Sequence, residues 1–544
     1  MKKSIRKPDW AAVMIAAPLI LTLILEALNR NHPLGGFIYA FEHPGLFLFN
    51  VLLVLDTLFI SFLFRRRVFA FCLLCVIWLT AGVTNCIMVS MRTLPFTIID
   101  ITLLKDAIGL FDVYFNLPQR ILIIAIAVIV AALIALLFFK APKSKRLSMK
   151  RFIAGALVLA SLTVGCVNLG MNTSAINPSL GTLTDAYRNC GFPYCFLVTF
   201  VDVGVEKPEN YSEEAIEEVE EQIESVQQEE SAFLVRPNIV FVQLESFFDP
   251  KHIIGLDVTE DPIPTFTQLK KDYPSGYLTM PSIGGGTANS EFEVLTGMTL
   301  SHFGAGEYPY NTVLKEKAVE SICYNLDPLN YTSHAVHNHT GSFYSRNLVY
   351  PNMGFDTFTS LEYMHDYEIN PLGWANDSIL TGEIMNAIKS TDGNDFVFCV
   401  TVQSHGHYPT EQVLDDTMIE EYQAETASYW GLDYYMQEIA KVDDFIAELI
   451  AALEESSEPT VLVLYGDHLP SLGLTDEDLE NGSLYQTEYV IWNNYTGFLQ
   501  HIADRDLYAY QLSAYVTDLL KIRTGEITRL HQSYLENAAP DHDE

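Results

Sequence analysis

Five apolar runs, at about 11–28, 45–64, 68–90, 121–139 and 152–169, fill most of the first 170 residues. Each approaches the about 20 residues needed to cross a hydrocarbon layer. The first is too long, and too closely followed by others, to be only a cleaved leader. Residues 170–206 then mix Asn, Gly, Thr and aromatic side chains, which predicts a semi-ordered connector. From Glu206 to Glu230, Glu is interrupted at helical spacing by Ala215, Ile216, Val219, Ile223 and Val226. That pattern predicts an amphipathic helix acting as a solvated spacer. From Asn238 onward short apolar runs alternate with helical ones. Strands are predicted at Ile239–Leu244, Gly276–Met280, Tyr331–Val336, Phe396–Val402, Val461–Tyr465 and Gln486–Trp492. Helices are predicted at Pro264–Asp272, Ala288–Met298, Thr312–Leu326, Trp374–Lys389 and Leu507–Arg523, with one or two more over Ile419–Leu453. Continuous apolar strands separated by helices predict a mostly parallel sheet covered on both faces.

The chain therefore divides into a five-span anchor (1–170), a connector with an acidic helix (171–235), an α/β domain (236–530) and an acidic tail (531–544). A hydrophobic fraction of 49% coexists with a formal net charge of −36, because the apolar, basic part comes first and the acidic part follows. Basic clusters at Lys2–Lys7, Arg65–Arg67 and Lys140–Arg151 fall on one side of the spans. Such clusters mark the cytoplasmic face, so the N-terminus is expected inside and the α/β domain outside. The negative balance excludes nucleic-acid binding, which needs clustered Lys and Arg. Inside the spans the main charged residues are Glu26 and Asp56, read as helix-end or interhelical hydrogen bonds, and so few polar groups argue against a transporter. The amphipathic stretch Leu103–Tyr114 is expected on the outer membrane surface. Cys72 and Cys75 stand at CxxC spacing but inside an apolar run, where they read as small buried residues, and no Cys/His zinc spacing occurs; Cys190 and Cys195 could close a small loop in an oxidising compartment.

Chemistry concentrates where the α/β domain turns. In Gly284-Gly285-Gly286-Thr287-Ala288-Asn289-Ser290-Glu291-Phe292, three glycines permit positive φ and close approach of a ligand. Thr287 then falls at or beside a helix N-terminus, where N–H groups and the helix dipole favour phosphate oxygens and an alkoxide. By itself this is as easily a glycine turn with an ordinary N-cap. In parallel sheets, however, ligands collect at the carboxyl ends of strands. There the chain places Glu245, His337-Asn338-His339, Gln403-Ser404-His405-Gly406-His407 and Gly466-Asp467-His468. Each has a plainer reading: a salt bridge for Glu245, a cap for Asp467, polar core for the histidines. Together Glu, Asp and His suit a divalent ion, Mn²⁺ or Mg²⁺ and less clearly Zn²⁺. Such an ion would hold a threonine alkoxide and polarise a phosphoryl oxygen.

These segments carry a resemblance. Asn238–Phe247, Gly285–Phe292, His337–Arg346 with Gly354-Phe355-Asp356, Gln403–Gly406 and Tyr465–His468 resemble, in order and spacing over about 300 residues, the lipoteichoic acid synthase family. Those are membrane-anchored phosphoglycerol transferases of the alkaline phosphatase and sulfatase superfamily, with five spans before an outer catalytic domain. The resemblance implies Thr287 as the nucleophile that takes glycerol phosphate from phosphatidylglycerol and passes it to a glycolipid or polyglycerolphosphate acceptor. It implies Glu245, Thr287, Asp467 and His468 as ligands of one Mn²⁺ or Mg²⁺. It implies His337, Tyr344, Arg346 and His405 as the lining of the phosphoglycerol site, with Arg346 presenting a planar fork to phosphate. Tyr344 stands where the family has Trp, which opens the headgroup to question. His339 and His407 are additional imidazoles in supporting positions. A phosphoethanolamine transferase of the same superfamily is the alternative, and a non-catalytic envelope scaffold a more distant one. No C/S-x-P-x-R motif occurs, which argues against a sulfatase proper.

Overall fold

The computed structural model describes residues 9–92, 95–101, 117–144, 147–172, 183–200, 204–205, 207–208, 211–225, 236–304, 306–423, 426–495 and 502–537. The stretch Leu103–Tyr114 and residues 538–544 of the expected tail lie outside them, as do residues 173–182 and 226–235 of the connector. Residues 531–537 of that tail instead complete the helix Glu526–Asn537, whose Gln532 is buried and donates to the Ile522 carbonyl at 2.9 Å. The chain forms two compact units, Met1–Val203 and Gly204–Glu544.

Among the described residues of the first unit, five helices are long and apolar enough to cross a membrane: Trp10–Asn29, Pro44–Leu63, Arg67–Ser90, Leu117–Lys140 and Met149–Gly170. They match the predicted runs closely because run length and apolarity alone define a span. The charged residues within them are spent on packing, as expected. Asp56 Oδ2 accepts from the Thr163 hydroxyl at 2.7 Å. Glu26 pairs with Arg30 one turn on, and its Oε1 accepts from the Phe192 backbone N–H at 2.9 Å. Part of the expected semi-ordered connector is in fact helical, at Leu183–Cys190 and Phe192–Val198. Span residues hold it: Asn29 donates to the Tyr187 carbonyl at 2.8 Å, and Asn50 donates to that of Cys190 at 2.7 Å. Between the two short helices Gly191 adopts φ 90°, and a Cβ there would lie 2.6 Å from Asn50 Nδ2. Only glycine fits that crossing. Cys190 and Cys195 are buried free thiols, the latter donating to the Ala186 carbonyl at 3.2 Å.

Among the described residues the second unit is built on ten strands: β1 (Asn238–Leu244), β2 (Leu256–Val258), β3 (Ser275–Thr279), β4 (Tyr331–His337), β5 (Thr357–Ser360), β6 (Asn394–Val400), β7 (Ile419–Tyr422), β8 (Thr460–Gly466), β9 (Gln486–Asn493) and β10 (Leu507–Tyr508). Eight form one sheet in the order β10-β3-β9-β8-β1-β6-β4-β5, and β2 pairs with β7 apart from it. β1 runs parallel to β6 and β8, and β6 parallel to β4, while β9 is antiparallel to both β3 and β8. β1 and β8 are buried along their whole length, which is why they read as continuous apolar runs. The long helix Tyr429–Ser456 covers one face, burying Leu432, Tyr435, Met436, Ile439, Val442, Ile446, Leu449 and Leu453. Their spacing of three and four residues is the stripe a helix needs to lie on a sheet.

Some predicted helices are displaced, each by a tertiary partner. Trp374–Lys389 begins only at Ile379, because Ala375 bridges to Ile369 and Asp377 accepts from the backbone N–H groups of Val402 and Gln403, just past β6. Ile419–Leu453 opens with β7, which finds β2 to pair with. Thr312–Leu326 is two short helices, Val313–Glu316 and Ile322–Leu326. Between them Glu320 accepts the backbone N–H groups of Glu526 and Ile527, at the start of the helix Glu526–Asn537. Leu507–Arg523 opens with β10, makes one 3₁₀ turn at Ala509–Gln511 and is α-helical over Leu512–Leu519. The acidic helix spans Glu213–Ser225, and Arg529 donates to its Ile223 carbonyl at 2.5 Å, so it is docked as well as solvated.

Candidate active site

Because β4, β6, β1 and β8 are mutually parallel, their carboxyl ends lie along one edge, and that edge gathers the predicted residues. Glu245 follows β1, Asp467 and His468 follow β8, and His337 ends β4. The glycine turn is fixed to this edge. The Gly284 N–H donates to the Leu469 carbonyl at 3.0 Å. Gly284, Gly285 and Gly286 have φ of 63°, 154° and 97°, a run closed to other residues. A Cβ on Gly286 would lie 2.7 Å from Ser282 Oγ. The helix that follows, Thr287–Thr296, has Thr287 as its first residue and Gly297 as its left-handed C-cap. It is pinned where it starts: Ser290 donates to the Asp467 carbonyl at 2.7 Å, and Gln243 donates to that of Thr287 at 3.3 Å.

Around the nucleophile candidate the geometry is tight. Thr287 Oγ1 donates to Glu245 Oε2 at 3.1 Å. His468 Nε2 lies 3.6 Å from Glu245 Oε1 and 3.4 Å from Asp467 Oδ2. The other ring nitrogen, Nδ1, faces the Leu469 carbonyl at 3.0 Å, which fixes a tautomer with an unprotonated Nε2. Ligating atoms of Glu245, Asp467 and His468 all fall within 4.8 Å of one another. All three residues are buried, yet Asp467 Oδ2 and His468 Nε2 have no hydrogen-bond partner among the described residues. Burial and the Glu245 charge push Asp467 well above the ordinary carboxylate range. Burial pushes Glu245 up too, but His405, His468 and the Ser246 and Thr287 hydroxyls outweigh it and hold the group low. Burial lowers His468, which keeps the imidazole neutral as a ligand must be. Two carboxylates and a bare imidazole nitrogen turned on one point fit a divalent cation.

The other expected residues sit beside this cluster but are differently occupied. Arg346 begins the short helix Arg346–Asn352 and is 1% exposed. Its Nε donates to Glu291 Oε1 at 3.0 Å, and Nη2 also pairs with that oxygen. Nη1 reaches His337 Nε2 at 3.2 Å, and His337 Nδ1 faces the Val400 carbonyl at 2.8 Å. The fork expected for phosphate is thus largely taken by Glu291. Burial alone would lower the Arg346 pKa, but the Glu291 carboxylate more than offsets this and keeps the guanidinium charged. Burial and the Arg346 charge hold His337 well below its ordinary value, so it is a neutral acceptor. His405 packs against Trp374 with ring centroids 4.5 Å apart, and its Nδ1 contacts the Gly406 carbonyl. His339 lies 5.9 Å from His337 and 5.6 Å from Trp374, and burial brings it down to about 4. Tyr344 stacks on Tyr308 at 5.7 Å, beside Arg346. For His407 burial lowers the pKa.

Three features went unassigned at the level of sequence. Glu291 stands four residues after Thr287, on the same helix face, and that spacing was the available signal. It also accepts from the hydroxyls of Tyr310 and Tyr350 at 2.9 and 2.8 Å. Asp377 Oδ1 accepts from Asn338 and from the backbone N–H of Val402 and Gln403, so one carboxylate ties the ends of β4 and β6 together. Burial raises Asp377 to about 7. Trp374 packs against both His339 and His405. Nothing local marks either residue, because their partners arrive from other strands.

Comparison with known proteins agrees with this fold. The family described as Sulfatase matches residues 237–500. A putative cyclic beta-1,2-glucan modification protein of Rhizobium meliloti (strain 1021) is 30% identical over 59% of this chain and 51% of its own length. The lipoteichoic acid synthase of Staphylococcus saprophyticus is 25% identical over 43% of this chain and 36% of its own. The chain thus spans about half or less of these curated relatives. Among solved structures, Streptococcus pyogenes phosphoglycerol transferase GacH, in complex with sn-glycerol-1-phosphate, superposes with TM-score 0.53 at 22% identity, over 62% of this chain and 91% of that one. The Neisseria meningitidis integral membrane protein lipooligosaccharide phosphoethanolamine transferase A superposes with TM-score 0.57 at 13% identity, over 96% of this chain and 98% of that one. The last two are likenesses of fold.

Proposed function

From the match of residues 237–500 to the sulfatase family, a lipoteichoic acid synthase among the curated relatives, and a fold shared with a phosphoglycerol and a phosphoethanolamine transferase, we propose that this protein transfers glycerol phosphate from phosphatidylglycerol to an envelope acceptor. The observation that carries the reading is the Thr287 hydroxyl, 3.1 Å from Glu245, beside Asp467 Oδ2 and His468 Nε2, which are buried and without hydrogen-bond partners among the described residues. Glu245, Asp467, His468 and Thr287 would hold one Mn²⁺ or Mg²⁺, which supplies Lewis-acid charge for the alkoxide and for a phosphoryl oxygen.

The chain's own groups supply the rest. Thr287 Oγ1 gives up its proton towards Glu245 Oε2 and forms a bond to phosphorus, while the bond from phosphorus to the diacylglycerol oxygen breaks. His405, with Nδ1 engaged by the Gly406 carbonyl, keeps Nε2 for protonating that leaving oxygen. In the second displacement an acceptor hydroxyl loses its proton to His405 and attacks phosphorus, while the Thr287 Oγ1–phosphorus bond breaks and Oγ1 takes its proton back from Glu245 Oε2. The start of the Thr287 helix offers backbone N–H groups to the phosphoryl oxygens. The acceptor is a glycolipid or polyglycerolphosphate end. The five spans keep the domain at the membrane that holds the donor lipid, with the N-terminus cytoplasmic and the catalytic domain outside. Tethering of this kind raises effective concentration without new contacts.

The test is intact mass of the full chain with Mn²⁺ after exposure to phosphatidylglycerol and, separately, phosphatidylethanolamine. A glycerol-phosphate adduct on Thr287 is expected. An ethanolamine-phosphate adduct would transfer the protein to the alternative donor class. No adduct on a folded, metal-loaded chain would overturn the transferase reading.

A further inference from the structure

The loop joining His337 to Arg346 holds two consecutive non-glycine residues in the left-handed region, Tyr344 at φ 52° and Ser345 at φ 59°. Such conformations persist only where the surroundings over-determine them, and they gather at functional sites. The backbone here is pinned by the Ser345 N–H donating to the Ser342 carbonyl and the Asn347 N–H to that of Gly341, both at 2.9 Å. The Tyr344 ring is placed by other means. Tyr308 stacks on it with an interplanar angle of 20°. Phe343 packs edge-on at 4.6 Å, and the Arg346 guanidinium carbon lies 5.3 Å from the ring centroid.

Tyr308 arrives from a distant segment and is itself buried. A Cβ on Gly286, the residue before the nucleophile, would lie 3.8 Å from the Tyr308 hydroxyl oxygen. Two residues on, the Tyr310 hydroxyl donates to the Glu291 carboxylate that holds Arg346. One short stretch, residues 308–310, therefore abuts the Tyr344 ring, the Glu291–Arg346 pair and the glycine turn.

We propose that Tyr308 is a specificity-determining residue that acts through Tyr344, setting an aromatic wall that accepts a small uncharged polyol headgroup and disfavours a cationic one. The inference rests on the transfer reaction proposed above. An open tyrosine face attracts an ammonium group. Here the ring is stacked on Tyr308 and already has the Arg346 guanidinium over it, so an ethanolamine ammonium finds the aromatic face it would use already taken by another cation. Glycerol brings no charge, packs on the rings through its C–H groups and keeps its hydroxyls for hydrogen bonds. Without the Tyr308 ring, the stack that holds Tyr344 in its left-handed pose is lost, and the discrimination relaxes.

The experiment measures turnover of phosphatidylglycerol and phosphatidylethanolamine in parallel by the full-length Mn²⁺-loaded protein in mixed vesicles. For Tyr308→Ala, KM for phosphatidylglycerol is expected to rise about ten-fold with kcat within about three-fold, the signature of lost binding rather than lost chemistry. The preference for glycerol over ethanolamine is expected to fall about ten-fold, whereas Tyr308→Phe, which keeps the ring, stays near wild type on both lipids. Tyr308→Ala/Tyr344→Ala is expected to be no worse than Tyr344→Ala alone, because the two residues act as one unit. Should Tyr308→Ala fail to fold, Tyr308→Leu retains apolar bulk without stacking and is read the same way. An unchanged lipid preference in a folded Tyr308→Ala or Tyr308→Leu variant, or additive losses in the double variant, overturns the inference. Wild-type protein that turns over neither lipid overturns the transferase reading itself and this inference with it, a failure visible before any variant is made.

Discussion

The two halves of the candidate site are equally buried and oppositely finished. Around Glu245, Asp467 and His468, carboxylate oxygens and an imidazole nitrogen face one another, and Asp467 Oδ2 and His468 Nε2 have no hydrogen-bond partner among the described residues. Around Arg346, Glu291 accepts from the guanidinium and from two tyrosines, and His337 takes the remaining edge. Native interiors pair nearly all buried polar atoms. The first arrangement is therefore incomplete as protein and calls for a cation. The second is complete as protein and reads first as the scaffold that holds the loop carrying Tyr344. Equal burial hides this difference, and only the partner of each atom reveals it.

That contrast can be broken in three ways, in decreasing order of effect. Thr287→Ala is expected to lower turnover by at least about a thousand-fold while the melting temperature stays near wild type, since chemistry and not core is removed. Retained turnover in the folded variant would remove the nucleophile from the account. Arg346→Ala leaves the Glu291 carboxylate buried and unpaired, and is expected to cost about 3–5 kcal/mol in urea unfolding. Loss of donor binding with stability intact would make Arg346 a ligand residue rather than a scaffold.

Metal addition tests the other half. Mn²⁺ at about a hundred times its Kd is expected to stabilise chelator-stripped protein by about 2.7 kcal/mol. Asp467→Asn should abolish that increment. Its pH dependence has a definite sign. The raised Asp467 pKa in the cation-free protein contributes stability that is fully present below the ordinary carboxylate range and is lost as pH rises through the folded value. Mn²⁺ requires the deprotonated ligands, so the increment read in thermal melts at fixed Mn²⁺ should grow with pH. An increment that is flat or shrinks with pH would place the ion elsewhere.

Much of this was legible in advance, because it is local. Run length and apolarity define the five spans, and all five lie where the pattern puts them. Strand termini can be read from where apolar runs stop, so Glu245, His337, His405, Asp467 and His468 could be placed at strand ends before any coordinate. The glycine turn could be read because three consecutive glycines have few other uses. Less legible was whatever a distant partner decides. The expected helix takes in residues 374–378, yet the bridge to Ile369 and the bonds of Asp377 keep them out of it. Residues 183–198 look like a loose connector, yet Asn29, Glu26 and Asn50 hold them to the spans.

The sequence by itself therefore determined the membrane and α/β architecture, the nucleophile candidate and the residue types available to a metal, since each depends on spacing along one segment. Only the tertiary structure decided which of those residues are already satisfied. Glu291 and Arg346 are 55 positions apart, and His468 meets Glu245 only because β8 lies parallel to β1. Whether a buried charge serves as scaffold or as ligand depends on which groups reach it in space, and that information is not carried by any one stretch of chain.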